Sequence, residues 1–204
     1  MGRDLLTPLS PVRRGLHTVE VARPLIVLLL GAPGTGKSTS GQLLARKLGV
    51  PWISSGRLLR EAASRDERMA RSIESGELVP DDVVEEALLQ RLATARSGFV
   101  LDGYPRTVSQ ARDLLRFLQE RASRITRAFH MCAPDDVLVQ RLLSRGRGDD
   151  RPDVILERMR VYRLETEAVI EVLRAAGADV VEVDASPPAD EVVRTLETAL
   201  EGSG

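Results

Sequence analysis

The stretch "LIVLLLGAPGTGKSTS", Leu25 to Ser40, decides how the whole chain is read. Six apolar residues at 25–30 suit a strand buried on both faces. The run stops at Gly31, and Gly31, Gly36, Lys37 and Ser38 satisfy the spacing G-x-x-x-x-G-K-[ST]. Glycines let the backbone curl so that successive N–H groups point inward. The helix that follows offers its unpaired first-turn N–H groups and a partial positive charge. Gly34, Thr35, Gly36, Lys37, Ser38 and Thr39 are therefore candidates for holding the phosphates of a nucleoside triphosphate. Lys37 supplies a point charge, and Ser38 a hydroxyl near Mg²⁺.

Working outward, short apolar runs alternate with helical patterns. Strands are expected at 25–30, 51–54, 98–103, 124–133 and 178–186. Helices are expected at 38–49, 80–95, 107–122, 134–146, 149–177 and 188–201, with two short polar helices in 56–76. This alternation implies an α/β fold with a doubly wound, mostly parallel sheet. Residues 1–24 read as a poorly ordered N-terminal extension to one domain at 25–204.

The formal net charge is −1, which argues against nucleic-acid or membrane-surface binding by bulk charge. No apolar run is long enough to span a bilayer. Cys132 is the only cysteine, so no disulfide framework and no thiolate zinc site can be built from it, and no structural zinc is expected. A reducing cytoplasm fits.

Asp102 closes the strand "GFVLDG", at the end where ligands bind in parallel sheets. It is a candidate for holding the waters of Mg²⁺ beside Ser38. The second substrate shows in arginine. Arg106 leaves the same strand end through "DGYPR". Arg141 and Arg145 share a helix face, Arg147 follows one glycine later, and Arg158 lies near the start of the next helix. Guanidinium clamps phosphate oxygens bidentately, and phosphoryl transfer demands such positioning and charge stabilisation.

These residues carry a resemblance. "GAPGTGKST", "ISSGRLLRE", "GELVPDDVV", "GFVLDGYPRTVSQA" and "RGRGDD" followed by Arg158 resemble, in order, the motifs of the adenylate kinase family of nucleoside monophosphate kinases. The resemblance implies the P-loop NTPase type of sheet, with a helical monophosphate-binding insert at 56–80 and a minimal lid at 145–151. It implies phosphoryl transfer from ATP to AMP with Mg²⁺, in a monomer. In this reading Arg141 and Arg145 join the phosphate loop on ATP. Ser55, Gly56, Arg60, Glu77, Leu78, Val79, Gly103, Arg106, Gln110, Arg147 and Arg158 form the AMP site, with Arg147 and Arg158 bridging the transferring phosphates. Lys37, Asp102, Arg106, Arg141, Arg147 and Arg158 form the catalytic set.

Thr107 and Gln110 also spell the capping box T-x-x-Q, which competes with base reading for one amide. Gln110 and the Ser55 hydroxyl tilt the acceptor toward AMP over UMP or CMP. Arg57 stands where the family usually has aspartate, as a lost helix cap or as another cation for the monophosphate. The run from Arg60 to Gly76 is shorter than usual. A single glycine separates Arg145 from Arg147, which leaves no room for a zinc-bearing lid and predicts incomplete exclusion of water. A non-catalytic nucleotide sensor on the same scaffold is the alternative of a different class.

Overall fold

A computed structural model describes residues 24–64, 71, 74, 81–148 and 150–202. The expected N-terminal extension and most of the expected 65–80 half of the insert lie outside the described residues. The chain runs β1 (Leu25–Gly31), α1 (Lys37–Leu48), β2 (Trp52–Ser54), α2 (Ser55–Ala63), α3 (Asp81–Thr94), β3 (Gly98–Asp102) and α4 (Val108–Glu120). It continues through β4 (Arg127–Cys132), α5 (Asp135–Arg145), α6 (Pro152–Val161), a π-helical turn (Tyr162–Thr166), α7 (Glu167–Ala175), β5 (Val180–Asp184) and α8 (Ala189–Glu201).

The five strands form one sheet in the order β2-β3-β1-β4-β5, and every pairing is parallel. The period-two geometry of a strand divides β1 between two cores. Ile26, Leu28 and Leu30 pack with Phe99, Leu101, Leu114 and Leu173 on one face. Val27 and Leu29 pack with Leu44, Phe129, Val183 and Leu196 on the other. Burying each such side chain contributes roughly 1.5–3 kcal/mol, which is why the central strand is apolar throughout. A smaller cluster of Ala32, Leu138, Leu142, Ile155 and Met159 ties α5 and α6 to the loop after β1.

Parallel order sends every strand's carboxyl end to the same edge. The loops after β1, β3, β4 and β5 therefore meet there, and that edge positions the site. The periodicity at 149–177 suggests one unbroken helix, and the structure differs. Helical backbone does continue from α6 to α7, but Tyr162–Thr166 relaxes to π spacing. The extra residue per turn brings Tyr162 and Thr166 onto the wall of one cavity. Such turns gather at functional sites.

Candidate active site

The β1–α1 loop takes its shape from glycine where space is shortest. Gly34 has φ +90, and a Cβ there would lie 2.8 Å from the carbonyl oxygen of Leu138. Lys37 folds over this loop: its Nζ donates to the carbonyls of Gly31 and Ala32 at 2.7 Å each and to Thr35 Oγ1 at 3.1 Å. Burial lowers its pKa to about 8; Asp102 opposes that shift, and Arg106 and Arg145 reinforce it. The Ser38 hydroxyl donates to Asp102 Oδ2 at 2.7 Å. Two oxygen-bearing side chains, one a buried carboxylate, thus face the cavity together.

Arg106 is held through both its guanidinium and its backbone. Its Nε donates to Gly103 O at 2.8 Å and its Nη2 to Ser55 Oγ at 3.4 Å. Its backbone N–H donates to Gln110 Oε1 at 2.8 Å, and its carbonyl accepts from Thr166 Oγ1 at 3.0 Å. Ser55 Oγ in turn donates to Gly103 O at 2.6 Å. Burial pushes the Arg106 guanidinium below its ordinary pKa, with Asp102 opposing and Arg158 and Arg60 adding to the fall. Gly56 leaves room for two guanidinium groups: a Cβ there would meet Arg60 Nη1 at 3.4 Å and Arg106 Nη2 at 3.5 Å. Gly103 needs its φ of +73 and its missing side chain for the same reason, since a Cβ would stand 3.3 Å from Ser55 Oγ.

On the opposite side, Asp150 gathers the arginines beyond α5. Its Oδ2 accepts from Arg145 Nε at 2.9 Å and from the backbone N–H of Arg147 at 3.0 Å, and its Oδ1 accepts from Arg145 Nη2 at 2.5 Å. Arg158 Nη1 is 3.8 Å away. Burial alone would raise this carboxyl's pKa. The Arg145 hydrogen bond, the Arg147 N–H and the charges of Arg145 and Arg158 outweigh it and hold the group below the usual carboxylate range. Arg141 turns toward the loop after β5: its Nη1 donates to Ala185 O and its Nη2 to Ser186 O, both at 2.6 Å.

These segments enclose one cavity of about 510 Å³. Gly34, Thr35, Gly36, Lys37, Ser38, Thr39, Gly56, Arg60, Asp102, Gly103, Arg106, Arg141, Arg145, Arg147 and Arg158 line it. Its volume suits nucleotide-sized ligands.

A family model described as adenylate kinase matches residues 29–178, a span that contains every expected site residue. An adenylate kinase of Nocardia farcinica is 46% identical over 151 residues, covering 71% of this chain and 83% of the relative. One from Mycobacterium tuberculosis is 44% identical over 154 residues, covering 72% and 85%. One from Mycobacterium ulcerans is 42% identical over 180 residues, covering 85% and 98%. The chain belongs to the adenylate kinase family.

Within that family frame, two expected residues sit behind the cavity wall instead of on it. Ser55 and Gln110 are buried, and both hold Arg106. Thr107 caps α4 by accepting from the Gln110 N–H at 3.2 Å, while the glutamine side chain reaches one residue past the cap to Arg106. Glu77, Leu78 and Val79 lie outside the described residues. Arg57 is exposed, pairs with Glu61 at 2.8 Å, and stacks 5.8 Å from the Trp52 ring. It is not among the residues that line the cavity.

Several wall residues escaped the reading of motifs. Val161 closes α6, and Tyr162 and Thr166 arrive through the π turn, whose sequence carries no glycine or proline to mark it. Ala185, Pro187 and Ala189 follow β5; the rule that ligands bind beyond strand carboxyl ends could have found them. The importance of Asp150 was hidden because its partners lie on both sides of it in the chain.

Proposed function

We propose that this chain is a Mg²⁺-dependent ATP:AMP phosphotransferase that converts ATP and AMP reversibly into two ADP, as a cytoplasmic monomer. One observation carries the reading. The phosphate loop, the Arg60–Arg106 pair and the arginines around Asp150 line a single cavity, so a donor and an acceptor would share one set of cations.

The loop 34–39 with Lys37 holds the ATP phosphates, and Arg141 and Arg145 flank them. Arg60 and Arg106 grip the monophosphate. An oxygen of that monophosphate attacks the γ-phosphorus, and a new P–O bond forms. The bond from the γ-phosphorus to the β–γ bridging oxygen breaks, and ADP leaves. Negative charge builds on the equatorial and bridging oxygens. Arg147 and Arg158 would face this charge; Asp150 anchors the backbone of Arg147 and stands 3.8 Å from the Arg158 guanidinium, which supports that role. Ser38 and Asp102 are the oxygen set that would hold Mg²⁺, directly or through water; Mg²⁺ brings charge neutralisation of the β- and γ-phosphates.

The 145–151 turn is cross-tied by Asp150 and spans only a few residues, which supports a small closing motion and some loss of ATP to water. The test is ADP formation across AMP, CMP, UMP and GMP, with an arm lacking any acceptor. Rates with AMP well above the other three, and measurable hydrolysis without acceptor, support the reading. Equal or greater rates with UMP or CMP would overturn AMP as the acceptor, and negligible hydrolysis would overturn the leaky lid.

A further inference from the structure

Both peptide groups that flank the Arg106 Cα are pinned. The N–H donates to Gln110 Oε1 at 2.8 Å, and the carbonyl accepts from Thr166 Oγ1 at 3.0 Å. The ladder of α4 takes up the next carbonyl, that of Thr107, from the Ala111 N–H at 3.0 Å, so the Arg106 carbonyl lies one residue outside that helix. Thr166 reaches it from 60 residues further along the chain. It is buried and closes the π turn. A helical threonine commonly turns its hydroxyl back onto a carbonyl three or four residues earlier; this one donates away from its own helix. In an unbroken α-helix Thr166 would stand about 80° round the axis from Arg158. The Glu167 N–H instead donates to Tyr162 O, five residues back. That wider turn reduces the angle, and Arg158, Tyr162 and Thr166 all line the nucleotide cavity. The start of the turn is tied to β4, where the Tyr162 hydroxyl lies 2.7 Å from His130 Nε2.

We propose that Thr166 is a positioning residue for the acceptor phosphate: its hydroxyl ties the helical segment that follows Arg158 to the backbone of Arg106 and so holds the two cations in one arrangement. This rests on the reading of Arg106 as a cation for the monophosphate. Because peptide groups are planar, fixing the one on each side of Arg106 fixes the direction in which its side chain leaves the chain. Gln110 supplies the first of these ties from α4 itself, and Thr166 supplies the second from a different element. The guanidinium is then held by Gly103 O and Ser55 Oγ. Bidentate capture of a phosphate needs that planar fork already aimed. The one proton of the Thr166 hydroxyl is spent on the Arg106 carbonyl, so the threonine acts through the arginine.

Thr166→Val keeps the shape of the side chain and removes the donor, whereas Thr166→Ser keeps the donor. The test is calorimetric binding of AMP and, separately, of a non-hydrolysable ATP analogue to the full chain and to both variants. Thr166→Val should weaken AMP about three- to tenfold, the range of one lost hydrogen bond. It should leave the ATP analogue within about twofold, and Thr166→Ser should restore most of the AMP affinity. In an Arg106→Met background, Thr166→Val should add less than about twofold, because the group it positions is gone. Circular dichroism confirms that each variant is folded, and Thr166→Ala replaces a valine variant that does not fold. Unchanged AMP affinity in the folded valine variant would overturn the proposal. So would equal weakening of AMP and the ATP analogue, a serine variant as weak as the valine one, or a full additional loss without Arg106. Binding needs no turnover, so a chain that binds AMP in this pattern yet forms no ADP would count against phosphoryl transfer and still support the role of Thr166. An unaltered chain that binds no AMP would overturn the acceptor reading and this role with it.

Discussion

The hydroxyl of Ser38 donates to Asp102 across 2.7 Å, joining the first turn of α1 to the carboxyl end of β3. That bond sets a buried carboxylate and a hydroxyl side by side on the cavity wall. Asp102 also offsets the buried charges of Lys37 and Arg106. Asp102→Asn therefore removes a counter-charge from two buried cations as well as a Mg²⁺-side oxygen. We expect a loss of about 1–3 kcal/mol in stability and a fall in kcat of about 10²-fold or more. Ser38→Ala removes one hydrogen bond, costs about 1 kcal/mol, and raises the Mg²⁺ concentration needed for half-maximal rate. Denaturant unfolding and Mg²⁺-dependent kinetics measure both.

Lys37 predicts a pH signature. Burial depresses its pKa to about 8 in the free protein. It is charged below that pH and loses its charge as pH rises through it, so kcat/KM for ATP falls above about pH 8. A bound polyphosphate favours the ammonium form, so the fall in kcat moves to higher pH. Lys37→Met removes the cation and three hydrogen bonds to the loop, and turnover drops at least about 10²-fold. Coincident pH profiles for kcat and kcat/KM would contradict this account.

Asp150 organises three arginines from a buried position. Asp150→Ala removes the hydrogen bonds from Arg145 and from the Arg147 backbone, and because Arg145 and Arg147 are exposed the cost is about 1–3 kcal/mol. With Arg147 and Arg158 in their proposed place at the transferring group, we expect kcat to fall, as steady-state kinetics in both substrates would show. The folded-state pKa of Asp150 is depressed. Its stabilisation is therefore complete above the ordinary carboxylate pKa and is lost as pH falls through the lower, folded value. Acid unfolding of the variant lacks that part of the pH dependence.

Ser55 and Gln110 point to a distinction between base recognition and phosphate recognition. Both hold Arg106 from behind. Ser55→Ala should weaken AMP, CMP and UMP by similar factors, in the range of one lost hydrogen bond, about 0.5–1.5 kcal/mol. A selective change for one base, measured as the ratio of kcat/KM values, would return Ser55 to base reading.

Much of this was legible in the chain. The six apolar residues before Gly31 and the spacing of Gly36, Lys37 and Ser38 permit little besides a buried strand, a tight loop and a helix start. Asp102 and Arg106 were legible because a strand end and a Tyr-Pro turn leave them few places to point. The π turn at Tyr162 was not, because no local breaker residue marks it, and its flanks pack on different partners, α6 on α5 and α7 on α4 and β5. The orientation of Arg141 was hidden for a similar reason: its helix face follows from spacing, but its carbonyl partners at 185 and 186 come from a distant loop. Arg57 read as a possible substrate cation, yet residue spacing on α2 pairs it with Glu61, four residues along, out in solvent.

The central claim is that one cavity holds donor and acceptor together between shared cations. A compound that joins two adenosines through a polyphosphate long enough to span both sites tests this most directly. Calorimetry should give one molecule per chain, and kinetics should show competition against both ATP and AMP, with binding weakened by substitution at either Lys37 or Arg106. Competition against ATP alone, with AMP affinity untouched, would contradict a shared site and leave only a triphosphate-binding loop.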